Sequence, residues 1–175
     1  MINHALFLIP IFFYPTPKLK PLFTSIQVKR YFTDRNSDFK VIYTTSSFKD
    51  PNSLNSYPKI KSHLDKFQPA ITSSNKPYGL HRSRKESFFK GSKIIALRKC
   101  SNLPIFSFSD FDCYVTQSFN VIKSNRINLK YLTAILNSKL IRFWLINKGK
   151  MQGDNFQLDT GPLLDIPIVN SKDKK

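Results

Sequence analysis

The sequence is poor in the residues from which small enzymes usually build an active site. Its two cysteines, Cys100 and Cys113, form no Cys-x-x-Cys pair and have no histidine nearby, so neither a zinc site nor a disulfide framework is indicated. Glu86 is the one glutamate, the three histidines are scattered, and Gly-x-Ser-x-Gly does not occur. These gaps argue against paired-glutamate chemistry and triad hydrolysis. We therefore predict no catalytic residue and no metal ligand in this chain.

Motifs for methyl transfer and for DNA cleavage are also missing. The five glycines form no Gly-rich turn after a predicted strand, and there is no Asn-Pro-Pro-aromatic loop that could hold adenine. Restriction nucleases usually bind metal ions through a set of acids that begins with a Pro-Asp pair, and this sequence contains no Pro-Asp. The nearest fragments, Asp38-Phe39-Lys40 and Asp110-Phe111-Asp112, are interpreted as strand-edge or turn acids. A self-contained small nuclease stays open as an alternative if Asp38, Asp110 and Asp112 converge.

Long hydrophobic runs are absent. The apolar stretch at residues 5–14 is about half the length that spans a bilayer. No basic residue precedes it and no small-residue cleavage site follows it, so it is not a typical signal peptide. We predict a cytoplasmic protein. Residues 1–22 form a Pro-broken apolar leader that we assign to no domain, and we expect the chain to be a fragment of a larger protein.

Basic and aromatic residues, in contrast, are abundant. Lys and Arg number 28 against 11 acids, which gives a formal charge of +17, and aromatic residues make up 14% of the chain. Residues 59–99 contain eleven basic residues and two acids. This excess is larger than solubility requires and indicates a polyanionic partner. A merely solvated basic surface is the alternative, but the interleaved aromatic residues favour a shaped binding surface.

Hydrophobic periodicity predicts a mixed fold. Runs rich in β-branched and aromatic residues predict strands at residues 39–44, 93–98, 105–109 and 114–123. A helix is predicted over residues 58–71, where apolar residues recur at spacings of four, three and four. Those residues are Ile60, Leu64, Phe67 and Ile71.

A second helical region is predicted from the cap Asn128 to about Gly149. Its apolar face consists of Leu129, Leu132, Leu136, Leu140 and Phe143, and we predict that this face belongs to the core. Asn137-Ser138 can break the helix into two. The predicted fold class is α+β, with a twisted mixed or antiparallel sheet, packed helices, and a long helix or broken helix pair near residues 128–149.

The first candidate DNA-contact site is the basic segment, residues 77–85. Arg82 and Arg84 can each bond two acceptors of guanine, and Ser83 and Lys85 can hold phosphates. In an extended chain the spacing of two places both arginines on one face. The segment also offers Tyr78 and His81 for stacking or hydrogen bonding. A surface loop whose arginines meet carboxylates of the same protein is the alternative interpretation.

The second candidate is the polar loop at residues 152–157. Gln152, Asn155 and Gln157 carry amides that can pair with both edges of adenine, and Gly153 allows close backbone approach. An ordinary connection between a helix and a strand would have a similar composition.

Taken in order, several segments resemble the TaqI-like C-terminal specificity domain of type IIG and related bacterial restriction-modification proteins. The resemblance covers about residues 26–169 and is most specific in its last two parts. Its carriers are Val28-Lys29-Arg30-Tyr31, Tyr57-Pro58 through Leu64, Tyr78-Gly79-Leu80-His81-Arg82 with Arg84, Lys93-Ile94-Ile95, the run Tyr131 to Leu140 that contains Leu136-Asn137-Ser138-Lys139, and Leu164-Asp165-Ile166-Pro167-Ile168.

This resemblance implies a target-recognition domain at residues 23–170, followed by a charged tail at residues 171–175. It implies double-stranded DNA as a partner, together with an adenine-specific methyltransferase or nuclease domain of the parent protein or of an adjacent gene product. S-adenosylmethionine and Mg²⁺ are then expected in those missing domains, and no cofactor in this chain. We expect the chain alone to be inactive. An RNA-binding basic protein remains a further alternative.

Overall fold

The computed structural model describes residues 8–10, 18–71, 74–80 and 82–169, with only the backbone described for residues 8–10. The chain divides into two compact units. Unit 1 comprises residues 1–22 and 37–85, and unit 2 comprises residues 23–36 and 86–175. The predicted domain at residues 23–170 contains residues of both units, and its boundaries stay a prediction.

Strands and helices occur in an α+β arrangement, which confirms the predicted fold class. The strands are β1 (Leu8–Pro10), β2 (Leu19–Phe23), β3 (Tyr31–Phe32), β4 (Phe39–Ile42), β5 (Lys93–Leu97), β6 (Lys99–Ser101), β7 (Phe106–Ser109), β8 (Tyr114–Val115), β9 (Phe119–Ile122), β10 (Lys150–Gln152) and β11 (Asn155–Gln157). The α-helices are α1 (Pro58–Asp65), α2 (Leu129–Leu136), α3 (Lys139–Lys148) and α4 (Thr160–Leu164). No helix of the described residues combines the length and the apolar character needed to cross a membrane.

Unit 1 packs one helix and several 3₁₀ turns beside antiparallel strands. Strand β4, which confirms the predicted strand at residues 39–44, pairs on one side with β1 and on the other with β2. Two strands therefore begin within the predicted leader. The buried core consists of Ile42, Phe48, Leu54, Ile60, Leu64, Ile71 and Tyr78.

Helix α1 is shorter than the sequence predicted, because it ends at Asp65. A 3₁₀ turn follows at Gln68–Ala70. Pro69 lacks the backbone N–H that would bond to the carbonyl of Asp65 four residues earlier, and its ring would clash with that carbonyl, which explains why the α-helix stops. Ile60, Leu64 and Ile71 are nevertheless buried, as the apolar spacing predicted.

Unit 2 contains a mixed sheet in the order β3-β7-β5-β9. Strand β3 runs parallel to β7, and the remaining pairs are antiparallel. Strands β5 and β7 confirm the predictions for residues 93–98 and 105–109. The single strand predicted over residues 114–123 is two strands, because a turn separates them in which Phe119 N donates to Thr116 O at 3.2 Å.

The helical region of unit 2 is a broken pair. The Asn128 side chain caps α2 by accepting from Lys130 N at 2.9 Å, and Ser138 caps α3 by accepting from Ile141 N at 3.2 Å. Both caps begin a helix at a position that the sequence indicated. The break at Asn137-Ser138 confirms the helix-pair alternative.

The predicted apolar face of this region is correct in α2 and wrong in α3. Leu129, Leu132 and Leu136 are buried, but Leu140 and Phe143 are 73% and 66% exposed. The prediction assumed one continuous helix, and the break at Asn137-Ser138 interrupts its helical spacing. Helix α3 starts anew at Ser138 and directs a different face to the core, with Ile141 and Leu145 buried at 1% exposure each.

Candidate functional site

The basic segment of unit 1 begins in a tightly anchored loop. The Thr44 hydroxyl donates to Tyr78 O at 2.6 Å and accepts from Leu80 N at 3.2 Å. A Cβ added to Gly79 would lie 2.5 Å from the Asn75 Cβ and 2.8 Å from Thr45 O, so only glycine fits this approach. The backbone is therefore fixed from Tyr78 to Leu80, immediately before the cations of the basic segment.

Tyr78 belongs to the core of unit 1. Its side chain is 4% exposed and its hydroxyl donates to Asp65 Oδ1 at 2.7 Å, while Lys61 Nζ lies 5.8 Å from the ring centroid. Burial raises the pKa of Tyr78, and the hydrogen bond from Tyr78 lowers the pKa of the Asp65 carboxyl. The ring thus packs within unit 1, and a DNA contact by Tyr78 stays a prediction.

The cations of the basic segment lie after this anchor. Arg82 and Lys85 are exposed, and Arg84 is half-buried with its carbonyl accepting from the Tyr43 hydroxyl at 2.5 Å. Arg82 has φ 53°, in the left-handed region, so the extended geometry from which we predicted a shared face of both arginines does not hold. His81 lies outside the described residues. DNA contacts by His81, Arg82, Arg84 and Lys85 stay predictions.

The second candidate is not a plain loop but a β-hairpin. Strands β10 and β11 pair antiparallel with Gln152 opposite Asn155, which leaves a two-residue turn of Gly153 and Asp154. Gly153 has φ +59°, a conformation that favours glycine. Strand β11 also pairs with β6, so that a three-stranded sheet has the order β10-β11-β6. We call strands β10 and β11 with their turn the ribbon.

The two faces of this small sheet differ sharply. The inner face consists of Cys100, Met151 and Phe156, which pack in the core of unit 2. Because side chains alternate along a strand, the paired neighbours share the opposite side. We call this opposite side the ribbon face, and it consists of Lys99, Ser101, Lys150, Gln152, Asn155 and Gln157. All six are exposed except Gln157, which is half-buried.

Hydrogen bonds order most of the ribbon face. Lys99 Nζ donates to Gln152 Oε1 at 3.1 Å, and Gln157 Nε2 donates to Asp159 Oδ2 at 2.8 Å. Among the described residues, the Asn155 side chain has no hydrogen-bond partner. Its amide is therefore available to a ligand, with one acceptor and two donor positions.

A cleft of about 690 Å³ adjoins the ribbon face, because Lys99 and Gln157 line both. Arg98 and Asp159 also line it and form an ion pair at 3.0 Å. The hydrogen bond from Arg98 is the main cause that lowers the pKa of the Asp159 carboxyl. The cleft further contains hydroxyl and amide groups, from Thr24, Ser25, Thr116, Gln117 and Ser118.

The acids required by the nuclease alternative have separate local contacts. Asp110 Oδ1 lies 2.8 Å from Arg35, and Asp112 Oδ1 accepts from Gly91 N at 3.0 Å, while Asp38 belongs to the other unit. Within the described parts of the chain, no three His, Cys, Asp or Glu side chains come together in a group that could hold a metal ion.

Comparison with known proteins connects these features to a family. A family model of the TaqI-like C-terminal specificity domain matches residues 27–168. The chain belongs to this family. The match confirms the family to which the sequence motifs pointed, and it extends over both candidate surfaces of this specificity domain.

A curated relative places the specificity domain in a restriction-modification context. The type II methyltransferase M.HincII of Haemophilus influenzae is 27% identical over 144 residues. The aligned region covers 80% of this chain and 28% of the relative. This chain therefore corresponds to a small part of the length of M.HincII.

Sequence reasoning missed part of the ribbon face of this specificity domain. It singled out Gln152, Asn155 and Gln157 but not Lys99, Ser101 or Lys150. The alternation of Lys99, Cys100 and Ser101 is the signal of a half-buried strand, but three residues are too few to distinguish it from a turn. The predicted DNA contacts of the three amides stay predictions.

Proposed function

We propose that this chain recognises a specific double-stranded DNA sequence for a bacterial type II restriction-modification system with adenine-specific methyltransferase activity. The observation that carries the proposal is the match of the specificity-domain family over residues 27–168. The formal charge of +17 supports a nucleic-acid partner, because a strongly basic domain gains affinity for the phosphate backbone by releasing counterions.

The catalytic chemistry is assigned to a partner. M.HincII extends well beyond the region that aligns with this chain, and its printed name is that of a methyltransferase. We propose that a methyltransferase domain, of the parent protein or of an adjacent gene product, works with this chain in the cytoplasm. S-adenosylmethionine would bind that partner, and Mg²⁺ would bind a nuclease part where the system also cleaves DNA.

Equilibrium binding to fluorescent duplex DNA tests the proposal and separates it from the RNA alternative. The chain is titrated into DNA and RNA duplexes of the same sequence, and anisotropy is followed at several salt concentrations. We expect tighter binding to DNA, with an affinity that falls as salt rises by a slope proportional to the number of phosphate contacts. Tighter binding to the RNA duplex would favour the RNA-binding alternative and contradict the proposal.

The basic segment is tested by exchanging single cations. If Arg82 or Arg84 contacts bases, its replacement by alanine costs roughly 1 to 3 kcal/mol on the preferred duplex and relaxes the sequence preference. If Lys85 contacts a phosphate, Lys85→Ala weakens binding to all sequences alike. Retention of the full sequence preference by both arginine variants would make this segment structural.

A further inference from the structure

We propose that the ribbon enters a groove of duplex DNA, with Asn155 and Gln152 contacting base edges at its tip and Lys99 contacting a phosphate at the groove margin. This inference rests on the proposed function. It adds which surface contacts DNA, which of its residues contact base edges and which residue contacts a phosphate. Three features of the ribbon face support the inference: its size, its polarity and its packing against the core of unit 2.

The dimensions of the ribbon suit the major groove. Paired strands lie about 4.8 Å apart, and the major groove of B-DNA is about 12 Å wide and admits a two-stranded ribbon. Strands β10 and β11 form such a ribbon, whereas adding the neighbouring strand β6 makes the sheet too wide to enter fully. Strand β6 would therefore stay at the edge of the groove, beside the backbone of the DNA.

The chemistry of the tip fits base edges better than phosphates. The free amide of Asn155 matches the paired donor and acceptor of adenine in the major groove, and Gln152 lies opposite it in the ladder. Asp154 in the turn is exposed, and its carboxylate repels phosphates but can accept from the amino group of cytosine. The tip therefore faces the bases, and the backbone of the DNA lies elsewhere.

Both lysines of the ribbon face stand in the register of Gln157, at the end of the ladder away from the turn, although the Lys99 side chain reaches Gln152. Lys99 stands on the outer strand β6, is exposed, and contacts the neutral amide of Gln152. Lys150 lies at the base of the ribbon, 3.5 Å from the carboxylate of Asp159. Lys150 shares the Asp159 carboxylate with Arg98, whereas Lys99 has no carboxylate partner within the described part of the chain, so the geometry favours Lys99 as the phosphate contact.

The ribbon has the support that a recognition element needs. Phe156, on the inner side of β11, is 2% exposed, and Cys100 opposite it is 4% exposed. The hydrogen bond from Gln157 to Asp159 holds the Gln157 side chain in place at the end of the ribbon away from the turn. Base contacts made from such a strand need little ordering on binding, which reduces the entropic cost of association.

The test uses the intact chain and duplexes that it enriches from a random-sequence pool, with scrambled duplexes for comparison. Asn155→Ala is expected to weaken binding to the enriched duplex roughly fivefold to a hundredfold, with little change on scrambled DNA. The near-isosteric Asn155→Asp is expected to weaken binding to the enriched duplex at least as much, and its added negative charge also weakens binding to scrambled DNA. Lys99→Ala is expected to weaken both equally and to reduce the salt slope by about 0.9. Matched controls are Asn125→Ala and Lys139→Ala, which change exposed residues outside the ribbon face.

The outcomes separate this inference from the proposed function. Absence of duplex binding, or of any enriched sequence, for the unmodified chain would contradict the proposed function itself. Normal enrichment that Asn155→Ala, Asn155→Asp and Lys99→Ala all leave unchanged would overturn only the assignment of the ribbon. Circular dichroism of each variant verifies that the fold is retained.

Discussion

The Asn137 side chain joins the helix pair of unit 2 to its sheet. Its Nδ2 donates to Phe106 O at 2.7 Å and to Thr133 O at 2.9 Å, and its Oδ1 accepts from Phe106 N at 3.2 Å. Arg30 also donates to Asn137. Sequence reasoning identified Asn137-Ser138 as a helix break, but the partner Phe106 lies far away in the chain and only the fold brings it there.

Asn137→Ala should be strongly destabilising. The substitution leaves the N–H and the carbonyl of Phe106 without this partner at a position where Asn137 is 1% exposed, and each unsatisfied buried group costs about 1 to 3 kcal/mol. Urea denaturation measures the free energy of unfolding. The control Asn147→Ala removes an exposed asparagine of α3 and should change that free energy by less than about 0.5 kcal/mol. Equal stability of the two variants would contradict the role of Asn137.

Asp159 should contribute to the loss of stability in acid. Its pKa is lowered in the folded state, mainly by the hydrogen bond from Arg98, so its stabilising contribution is complete above the unfolded pKa of about 3.9 and is lost as pH falls through the lower folded value. Asp159→Asn should reduce the acid dependence of the unfolding free energy below about pH 4. Asp154→Asn, at the exposed turn, is the control. An unchanged acid dependence for Asp159→Asn would contradict this prediction.

At the scale of elements, hydrophobic periodicity predicted those strands and helices that extend over enough residues to show it. The strands at residues 39–44, 93–98 and 105–109 and the helix pair were predictable from spacing and caps. The ribbon was predicted as a loop, because each of its strands has three residues and its stability depends on pairing with β6, about fifty residues earlier. A pairing between segments so far apart in the chain cannot be predicted from the local sequence.

Two leucines on either side of the helix break provide a matched pair. Leu136 in α2 is 4% exposed and lies in the core of unit 2, whereas Leu140 in α3 is 73% exposed. Leu136→Ala should lower the free energy of unfolding by about 2 to 5 kcal/mol, the range for a truncated core leucine. Leu140→Ala should change it by no more than about 0.5 kcal/mol. Thermal and urea denaturation measure both, and similar losses would show that the break does not reorient α3.

At the scale of the whole molecule, the sequence motifs predicted the family, which the family model confirms, whereas the polyanionic partner indicated by composition stays a prediction. The division into two units was not predictable, because residues 23–36 join unit 2 although residues 37–85 belong to unit 1. The assignment of residues 23–36 to unit 2 depends on long-range packing, such as that of β3 against β7, and cannot be recognised from local periodicity.

The chain alone should neither methylate nor cleave DNA. The sequence has no Gly-rich turn or Asn-Pro-Pro-aromatic loop, and the described residues include no group of three acids, histidines or cysteines suited to a metal ion. Incubation of the purified chain with duplex DNA and radiolabelled S-adenosylmethionine measures methylation, and gel electrophoresis with Mg²⁺ measures cleavage. Full-length M.HincII serves as the positive control for methyl transfer. Label incorporated above background by the chain would contradict the assignment of catalysis to a partner.

Selection from a random-sequence pool of duplex DNA tests the central claim most directly. The intact chain is bound to the pool at moderate salt, and bound duplexes are recovered, amplified and sequenced over several rounds. A specificity domain should enrich one short sequence, and each mismatched base pair in it should cost about 1 to 3 kcal/mol when binding is remeasured. Recovery of a pool with no common sequence, bound as tightly as before selection, would show that the chain binds DNA only through its charge and would contradict the account.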